Sequence, residues 1–173
     1  MPNTLVALDP GTHDAGVALF VDGRLVECAL IRPKPDTPFE VARHVGMWVR
    51  RAIGNVSGPG RVNTLVCEGQ QVYPGPRREN PNALFPLAQV VGGVMQVVDA
   101  FERRIVLPRQ WTGGVPKEVR QRRFLATLDA NETAIIMSVK CPKSKLHNVI
   151  DACSLGRWAL GRLPVEPEGG FVQ

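Results

Sequence analysis

The sequence predicts an α/β domain with a mixed sheet of five strands, in which an antiparallel meander precedes parallel strands. Three short apolar segments follow one another near the N terminus, and the tight turn Asp22-Gly23 joins the second to the third. Strand-like and helical patterns then alternate, which is the order typical of parallel pairing. No repeat or linker divides the 173 residues. We therefore expect one domain over residues 1–163 and a flexible tail over 164–173.

The composition indicates a folded protein with a basic surface. Hydrophobic residues make up 44% and charged residues 21%, which argues against disorder, and 21 Lys+Arg against 16 Asp+Glu give a net charge of +5. A basic balance favours a polyanionic partner without requiring one. The sequence contains no apolar run of about 18 residues and starts without the basic region of a signal peptide, so we expect a cytoplasmic protein with no membrane contact.

Each predicted strand is an apolar run that ends at a turn signal. These runs cover residues 4–8, 16–21, 24–31 and 62–67, and a short fifth strand is expected at 105–107. Proline residues at 33, 35 and 38 interrupt the chain after the third strand. The first three strands are therefore expected to form the meander, and the last two to follow helical crossovers.

Helices are predicted where apolar residues recur at intervals of three and four. Asp36 or Thr37 can cap the first helix, Asn82 the second, and Asn131 a short late one. A basic helix is expected over 117–128 and a last helix over about 145–160. Residues 69–81 are rich in Gly, Pro, Arg and Asn, which is typical of an exposed loop.

Three acidic residues lie at positions where carboxylates could bind metal ions. Asp9 and Glu68 each follow an apolar strand, and Asp151 lies beside the buried face of the last helix. Carboxylates gathered at strand ends repel one another unless cations neutralise them, and Mg²⁺ or Mn²⁺ suits oxygen ligands. Each acid also has a structural interpretation, as a turn residue, a solvated residue or the partner of a lysine. Spacing alone leaves these alternatives open.

Three blocks of sequence, taken together and in this order, resemble the RuvC family of Holliday junction resolvases, which have the ribonuclease H-like fold. They are Ala7-Leu8-Asp9-Pro10-Gly11-Thr12 with Gly16-Val17-Ala18, then Val66-Cys67-Glu68-Gly69-Gln70, then His147-Asn148-Val149-Ile150-Asp151-Ala152. The stretch Pro108-x-x-Trp111-x-Gly113 and Lys117 are similar to the phage and bacterial branch of that family. The resemblance covers nearly the whole chain.

The resemblance implies an activity and a set of catalytic residues. It implies metal-dependent nicking of two opposed strands of a four-way DNA junction by a symmetric homodimer, in recombination and repair. Asp9, Glu68 and Asp151 would hold two Mg²⁺ or Mn²⁺ ions in each active site. Two such ions, about 4 Å apart, activate a water and stabilise the leaving oxygen of a phosphodiester.

The fourth active-site position departs from the family pattern. The family carries an acid, or in some members a histidine, three residues before the final Asp, whereas this chain has Asn148 there and His147 one residue earlier. Both can face the same side of the helix as Asp151. An imidazole can exchange a proton or ligate a metal, and an asparagine can ligate only through its carbonyl oxygen. We assign His147 a catalytic role and Asn148 a metal-binding role, and leave open which of them fills the position.

A basic segment and a loop are the predicted DNA contacts. Residues 103–123 include seven Lys or Arg residues and a single acid, and further lysines precede the last helix. Such a charge run is often only a solvated face, but with the resemblance it becomes a candidate phosphate-binding surface. In the loop after Glu68, an aromatic residue can stack on an unpaired base. The candidate DNA-binding residues are Tyr73, Arg77, Arg78, Lys117, Arg120, Arg123, Lys143 and Lys145.

Two other functions remain compatible with these patterns. One is a different ribonuclease H-like nuclease, such as one that processes RNA precursors, and the other is a protein that binds branched DNA without cutting it. The basic segment and the His-x-x-x-Asp-Ala pattern favour DNA over RNA. A protein that only binds has no need for all three acids.

Overall fold

The computed structural model describes residues 2–58, 60–70 and 81–163. The strands are β1 (Thr4–Pro10), β2 (Ala15–Val21), β3 (Arg24–Ile31), β4 (Val62–Glu68) and β5 (Ala100–Val106). The helices are α1 (Pro38–Ser57), α2 (Pro81–Val97), α3 (Pro108–Thr112), α4 (Lys117–Leu125), α5 (Ala130–Met137) and α6 (Leu146–Ala159), with a 3₁₀ turn at Lys143–Lys145. The tail predicted at 164–173 and the loop residues Tyr73, Arg77 and Arg78 lie outside the described residues.

The five strands form one mixed sheet in the order β3-β2-β1-β4-β5. β1, β2 and β3 pair antiparallel, whereas β4 pairs parallel with both β1 and β5. Asp22 and Gly23, at φ 49° and 80°, make the turn between β2 and β3, as their left-handed preference predicts. The predicted fold class, an antiparallel meander followed by parallel strands and flanked by helices, is confirmed.

The two faces of the sheet bury separate cores because side chains alternate along each strand. On one face Val6, Leu8 and Cys67 pack against α1 and α2. On the other face Ala7 and Val66 pack against α6, and the same core includes Phe124 of α4 and Ile136 of α5. The direction of any side chain at the ends of β1 and β4 follows from this alternation.

Close packing and a buried ion pair fix α6 on the sheet. A Cβ atom added to Gly156 would lie 2.2 Å from the ring of Phe20 on β2, so only glycine allows this approach. Near the same end of the helix, the buried Arg157 pairs with the buried Glu132 of α5, and Glu132 also accepts the backbone N–H of Leu25. These contacts tie α5, α6 and β3 together.

Several boundaries differ from the sequence prediction. β5 begins at Ala100, five residues before the predicted start, because it is an edge strand whose central residues are exposed and show no apolar run. Asp129, not Asn131, caps α5, since its carboxylate accepts the N–H of Glu132 and so completes a capping box. Asn82 lies inside α2 and does not cap it. α4 ends at Leu125, three residues early.

None of the helices in the described part of the chain is long and apolar enough to cross a lipid bilayer.

Candidate active site

Asp9 and Glu68 lie side by side at the ends of two adjacent parallel strands. The register pairs Leu8 with Cys67, and the two acids are the next residues on β1 and β4. Ala7 and Val66 belong to the core under α6, so residues two positions further along each strand face the same side. Neighbouring strands lie about 4.8 Å apart. Both carboxylates therefore occupy the sheet edge beneath α6.

Asp151 reaches the same edge from α6, which packs across β1 and β2. Its residue is only 4% exposed, and its neighbours Ile150 and Ala152 belong to the core. The carboxylate is held by Lys117, whose Nζ lies 2.6 Å from Oδ2, and by Arg120, whose guanidinium lies 3.1 Å from Oδ1. The amide of Gln121 also donates to Oδ1 at 3.0 Å. All three of these partners of Asp151 lie on α4.

The electrostatics of Asp9 show that the three acids act on one another. Burial raises the pKa of Asp9 well above its usual range, and the nearby carboxylates of Glu68 and Asp151 raise it further. Lys117 and Arg120 oppose this increase without cancelling it. The structure therefore brings Asp9, Glu68 and Asp151 together, and the cationic side chains of α4 compensate only part of their charge. Their predicted catalytic and metal-binding roles remain predictions.

Trp111 of α3 links Glu68 to the other side of the site. Its indole N–H donates to Oε2 of Glu68 at 2.7 Å, and the guanidinium of Arg120 lies over its ring, 4.3 Å from the centroid. Burial raises the pKa of Glu68, whereas the bond from Trp111 lowers it by favouring the ionised form. Trp111 was identified from the sequence only as part of the family-like stretch. In the structure Trp111 is buried, and its contact with Glu68 is a role that the sequence did not predict.

The predicted DNA-binding residues fall into two groups. Lys117 and Arg120 lie in the site itself on Asp151, and only 14% of the Arg120 side chain is exposed. Lys143 and Arg123 are exposed, and Lys145 pairs with Asp14 at 2.9 Å. Their contacts with DNA remain predictions.

The basic segment 103–123 does not form a single basic face. Arg103 donates to the backbone carbonyls of Met95, Val98 and Ala100, which fixes the end of α2 on the other side of the sheet. Arg104 pairs with Glu102 at 2.6 Å. Arg103 therefore serves the face of the sheet opposite the site, and Arg104 is paired within β5.

The two candidates for the fourth position have different surroundings. The side-chain amide of Asn148 donates to Oδ1 of Asp14 at 3.1 Å. His147 is half-buried, and its backbone carbonyl accepts a long bond of 3.5 Å from Gln121. The roles of His147 and Asn148 remain predictions. The sequence alone did not identify Asp14 or Gln121 as site residues. The only signals in the sequence were that Asp14 follows β1 and that Gln121 lies on the basic helix.

The donor set fits a divalent cation in its chemistry. Three carboxylates at one edge supply hard oxygen ligands, and after burial the charges of Glu68 and Asp151 are what raise the pKa of Asp9, charges that a cation would neutralise. Among the residues that the structure describes, however, no three His, Cys, Asp or Glu side chains are arranged as a ready-made metal site. The ion pairs of Asp151 with Lys117 and Arg120 give a reason, because they use the oxygens that an ion would need.

Comparison with known proteins shows the fold. No family model and no curated protein matches the chain. Among solved structures, Thermus thermophilus RuvC in complex with a Holliday junction substrate is 14% identical, with 92% of this chain and 96% of that chain covered and a TM-score of 0.54. Another Thermus thermophilus RuvC structure is also 14% identical, covers 92% and 97%, and has a TM-score of 0.47. The human cytomegalovirus terminase nuclease domain, Mn-soaked and inhibitor-bound, is 11% identical, covers 95% and 89%, and has a TM-score of 0.49. The similarity to the junction-bound RuvC confirms the predicted ribonuclease H-like fold.

Proposed function

We propose that this protein is a metal-dependent DNA endonuclease that resolves four-way junctions by paired, symmetric nicks. The observation that carries the proposal is the convergence of Asp9, Glu68 and Asp151, from β1, β4 and α6, at one sheet edge beside Lys117 and Arg120. Burial and the neighbouring carboxylates of Glu68 and Asp151 together raise the pKa of Asp9, a cost that a protein which only binds DNA has no need to bear. The convergence therefore favours catalysis over binding alone.

In this proposal Asp9, Glu68 and Asp151 hold two Mg²⁺ or Mn²⁺ ions. When bound, the ions supply an activated water and stabilise the leaving oxygen of the phosphodiester. The bond from Trp111 orients Glu68 for this task and opposes the rise in its pKa that burial causes. Lys117 is 44% exposed at its side chain, so it can turn from Asp151 to a DNA phosphate when an ion takes its place. His147, one turn before Asp151, moves a proton at its imidazole.

Four-way DNA as the substrate is supported by the fold likeness to a junction-bound RuvC and by the exposed cations near α6. Lys143 and Arg123 are exposed, and Lys143 begins the 3₁₀ turn that leads into α6, the helix that carries Asp151. Lys and Arg side chains on such a surface bind phosphates with an affinity that falls steeply with salt. In this proposal the basic surface gives affinity, and the shape of the junction gives selectivity.

Paired nicks require two active sites, which a two-fold homodimer supplies. α2 carries Gly92 and Gly93, and such small residues allow a second helix to approach closely. A Cβ atom on Gly93 would lie 2.7 Å from Ala42 of α1, so its small size has a cause within the chain. Phe39 and Phe85 are 73% and 65% exposed on α1 and α2, and they make this helical face our candidate interface. Phe85→Asp should give a monomer in light scattering, whereas a wild-type monomer with and without DNA would contradict the dimer.

The proposal is tested with synthetic substrates of equal length: a four-way junction, a Y-shaped DNA, a linear duplex and a duplex RNA. Each is incubated with the protein and Mg²⁺, Mn²⁺ or EDTA. We expect cleavage of the four-way junction with either metal and none with EDTA. Cutting of RNA in preference to DNA would favour an RNA-processing nuclease. Tight junction binding with no cleavage under any condition would favour a binding protein.

A further inference from the structure

A fourth buried carboxylate lies next to the candidate site. Asp14, in the connection between β1 and β2, is 4% exposed and was not among the predicted site residues. Its Oδ1 accepts from the side-chain amide of Asn148 at 3.1 Å, and its Oδ2 lies 2.9 Å from Nζ of Lys145. A buried carboxylate is costly unless it is paired in this way, so its presence calls for a reason.

The turn that carries Asp14 and the start of α6 meet at the strand position opposite Asp9. Gly16 pairs with Asp9 across β1 and β2, and a Cβ atom on Gly16 would lie 2.0 Å from the backbone carbonyl oxygen of Asn148. Asn148 is also three residues before Asp151, so the two side chains lie on the same side of α6. Asn148 therefore stands beside both the strand pair that carries Asp9 and the helical face that carries Asp151.

We propose that Asp14 is a positioning residue, which fixes the side-chain amide of Asn148 so that its carbonyl oxygen is the group available to a divalent cation. This inference rests on the proposed function. An ionised carboxylate only accepts hydrogen bonds, so it binds the NH₂ group of Asn148 and disfavours the flipped amide, which would bring two oxygens together. Asparagine carbonyls are among the oxygen ligands of divalent cations, and partners behind a ligand orient it.

The same pairing explains why an asparagine suits position 148 in this chain. A carboxylate there would face the carboxylate of Asp14 within hydrogen-bond distance, and two like charges so close disfavour each other. With Asn148, the pair carries one negative charge, which Lys145 balances. Exchanging the two side chains preserves both the hydrogen bond and the charge.

The test measures the affinity of the DNA-free protein for Mn²⁺ alone, by isothermal titration calorimetry, together with the melting temperature. We expect Asp14→Ala to weaken Mn²⁺ binding at least about tenfold, within the range for partners that orient a ligand. Asp14→Asn should weaken it less, because its carbonyl still accepts from Asn148. Asp36→Ala, which removes an exposed carboxylate paired with His13, is the matched control and should change nothing.

Repeating the measurement in the Asn148→Ala variant distinguishes an Asp14 that positions Asn148 from an Asp14 that binds the ion directly. In Asn148→Ala, removal of Asp14 should cause no further loss of Mn²⁺ affinity, since there is no amide left to orient. The exchange Asp14→Asn with Asn148→Asp keeps the hydrogen bond and the charge, so it should bind Mn²⁺ at least as tightly as the wild type and more tightly than Asp14→Asn alone. This comparison uses near-isosteric changes, so it holds even if Asp14→Ala does not fold.

Three results would overturn the inference. An equal loss for Asp14→Ala in the wild-type and Asn148→Ala backgrounds would mean that Asp14 binds the ion itself. If Asp14→Ala lowers the melting temperature but leaves the Mn²⁺ affinity unchanged, Asp14 only stabilises the fold. If the wild-type protein binds no Mn²⁺, the proposed function fails and the inference with it, whereas wild-type binding with no effect of Asp14 rejects the inference alone.

Discussion

Replacing Asp9 by asparagine should stabilise the metal-free protein while it abolishes cleavage. Burial and the carboxylates of Glu68 and Asp151 raise the pKa of Asp9, so its ionised form destabilises the folded state at neutral pH. A domain of about 150–250 residues shifts its melting temperature by about 2–4 °C for each kcal/mol. We therefore expect Asp9→Asn to raise the melting temperature by about 2–4 °C for each kcal/mol of this penalty that it removes.

The sign of this effect sets its pH dependence. Because the folded state binds the proton more tightly than the unfolded state, the penalty is absent below the unfolded pKa, at about 3.9, and is complete above the raised folded pKa. The advantage of Asp9→Asn should thus be absent near pH 4 and grow as the pH rises. Asp36→Asn removes an exposed carboxylate of the same charge and should shift the melting temperature little at any pH.

The assay is thermal denaturation of wild type, Asp9→Asn and Asp36→Asn from pH 4 to pH 8 in EDTA, repeated with Mn²⁺. A metal at 100 times its dissociation constant stabilises a folded protein by about 2.7 kcal/mol. Mn²⁺ should therefore stabilise the wild type more than Asp9→Asn. The melting temperature of the wild type should then approach or exceed that of Asp9→Asn. A metal-free Asp9→Asn protein that melts at or below the wild-type temperature at pH 7.5 would refute the reasoning.

Three further predictions concern the surroundings of the site. Trp111→Phe removes a hydrogen bond that lowers the pKa of Glu68, so the acidic limb of the pH–rate profile should move to higher pH, and an unchanged profile would contradict this. Gly16→Ala should destabilise the protein by about 1–3 kcal/mol in chemical denaturation and slow cleavage, since its Cβ would meet the backbone of α6. Gly54→Ala, which meets nothing within 4 Å on α1, is its control and should not destabilise. Lys143→Ala should reduce the salt slope of junction binding by about one, whereas Arg50→Ala, exposed on α1 across the sheet, should leave it unchanged.

Much of the fold was predictable because its strands and helices bury apolar faces with clear periodicity. β3 was predicted at its observed bounds, and α1 buries the apolar residues that recur at helical spacing, namely Val41, Val45, Trp48, Val49 and Ala52. The predicted boundaries were wrong where a strand is exposed at the sheet edge, and where hydrogen bonds of side chains determine the start of a helix. β5 lies at the sheet edge with an exposed centre, so no apolar run marks its start.

The acids of the site could be proposed from the sequence because strand ends meet at one edge of a sheet. What could not be predicted is their set of partners, since these come from elements far apart in the chain. Trp111 reaches Glu68 across 43 residues, and Asn148 reaches Asp14 across 134. Such contacts depend on how α3 and α6 dock on the sheet, which no local pattern records.

In the proposed reaction, the site formed by the three converging acids cuts two opposed strands of a junction with the help of divalent metal ions. The most direct measurement uses a supercoiled plasmid that extrudes a cruciform, because paired nicks across the junction give linear DNA and unpaired nicks give an open circle. We predict linear DNA from the wild-type protein with Mg²⁺ or Mn²⁺, none with EDTA, and none from Asp9→Asn, which still binds the junction. Linear DNA from Asp9→Asn at the wild-type rate, or only open circles from the wild-type protein, would contradict the account.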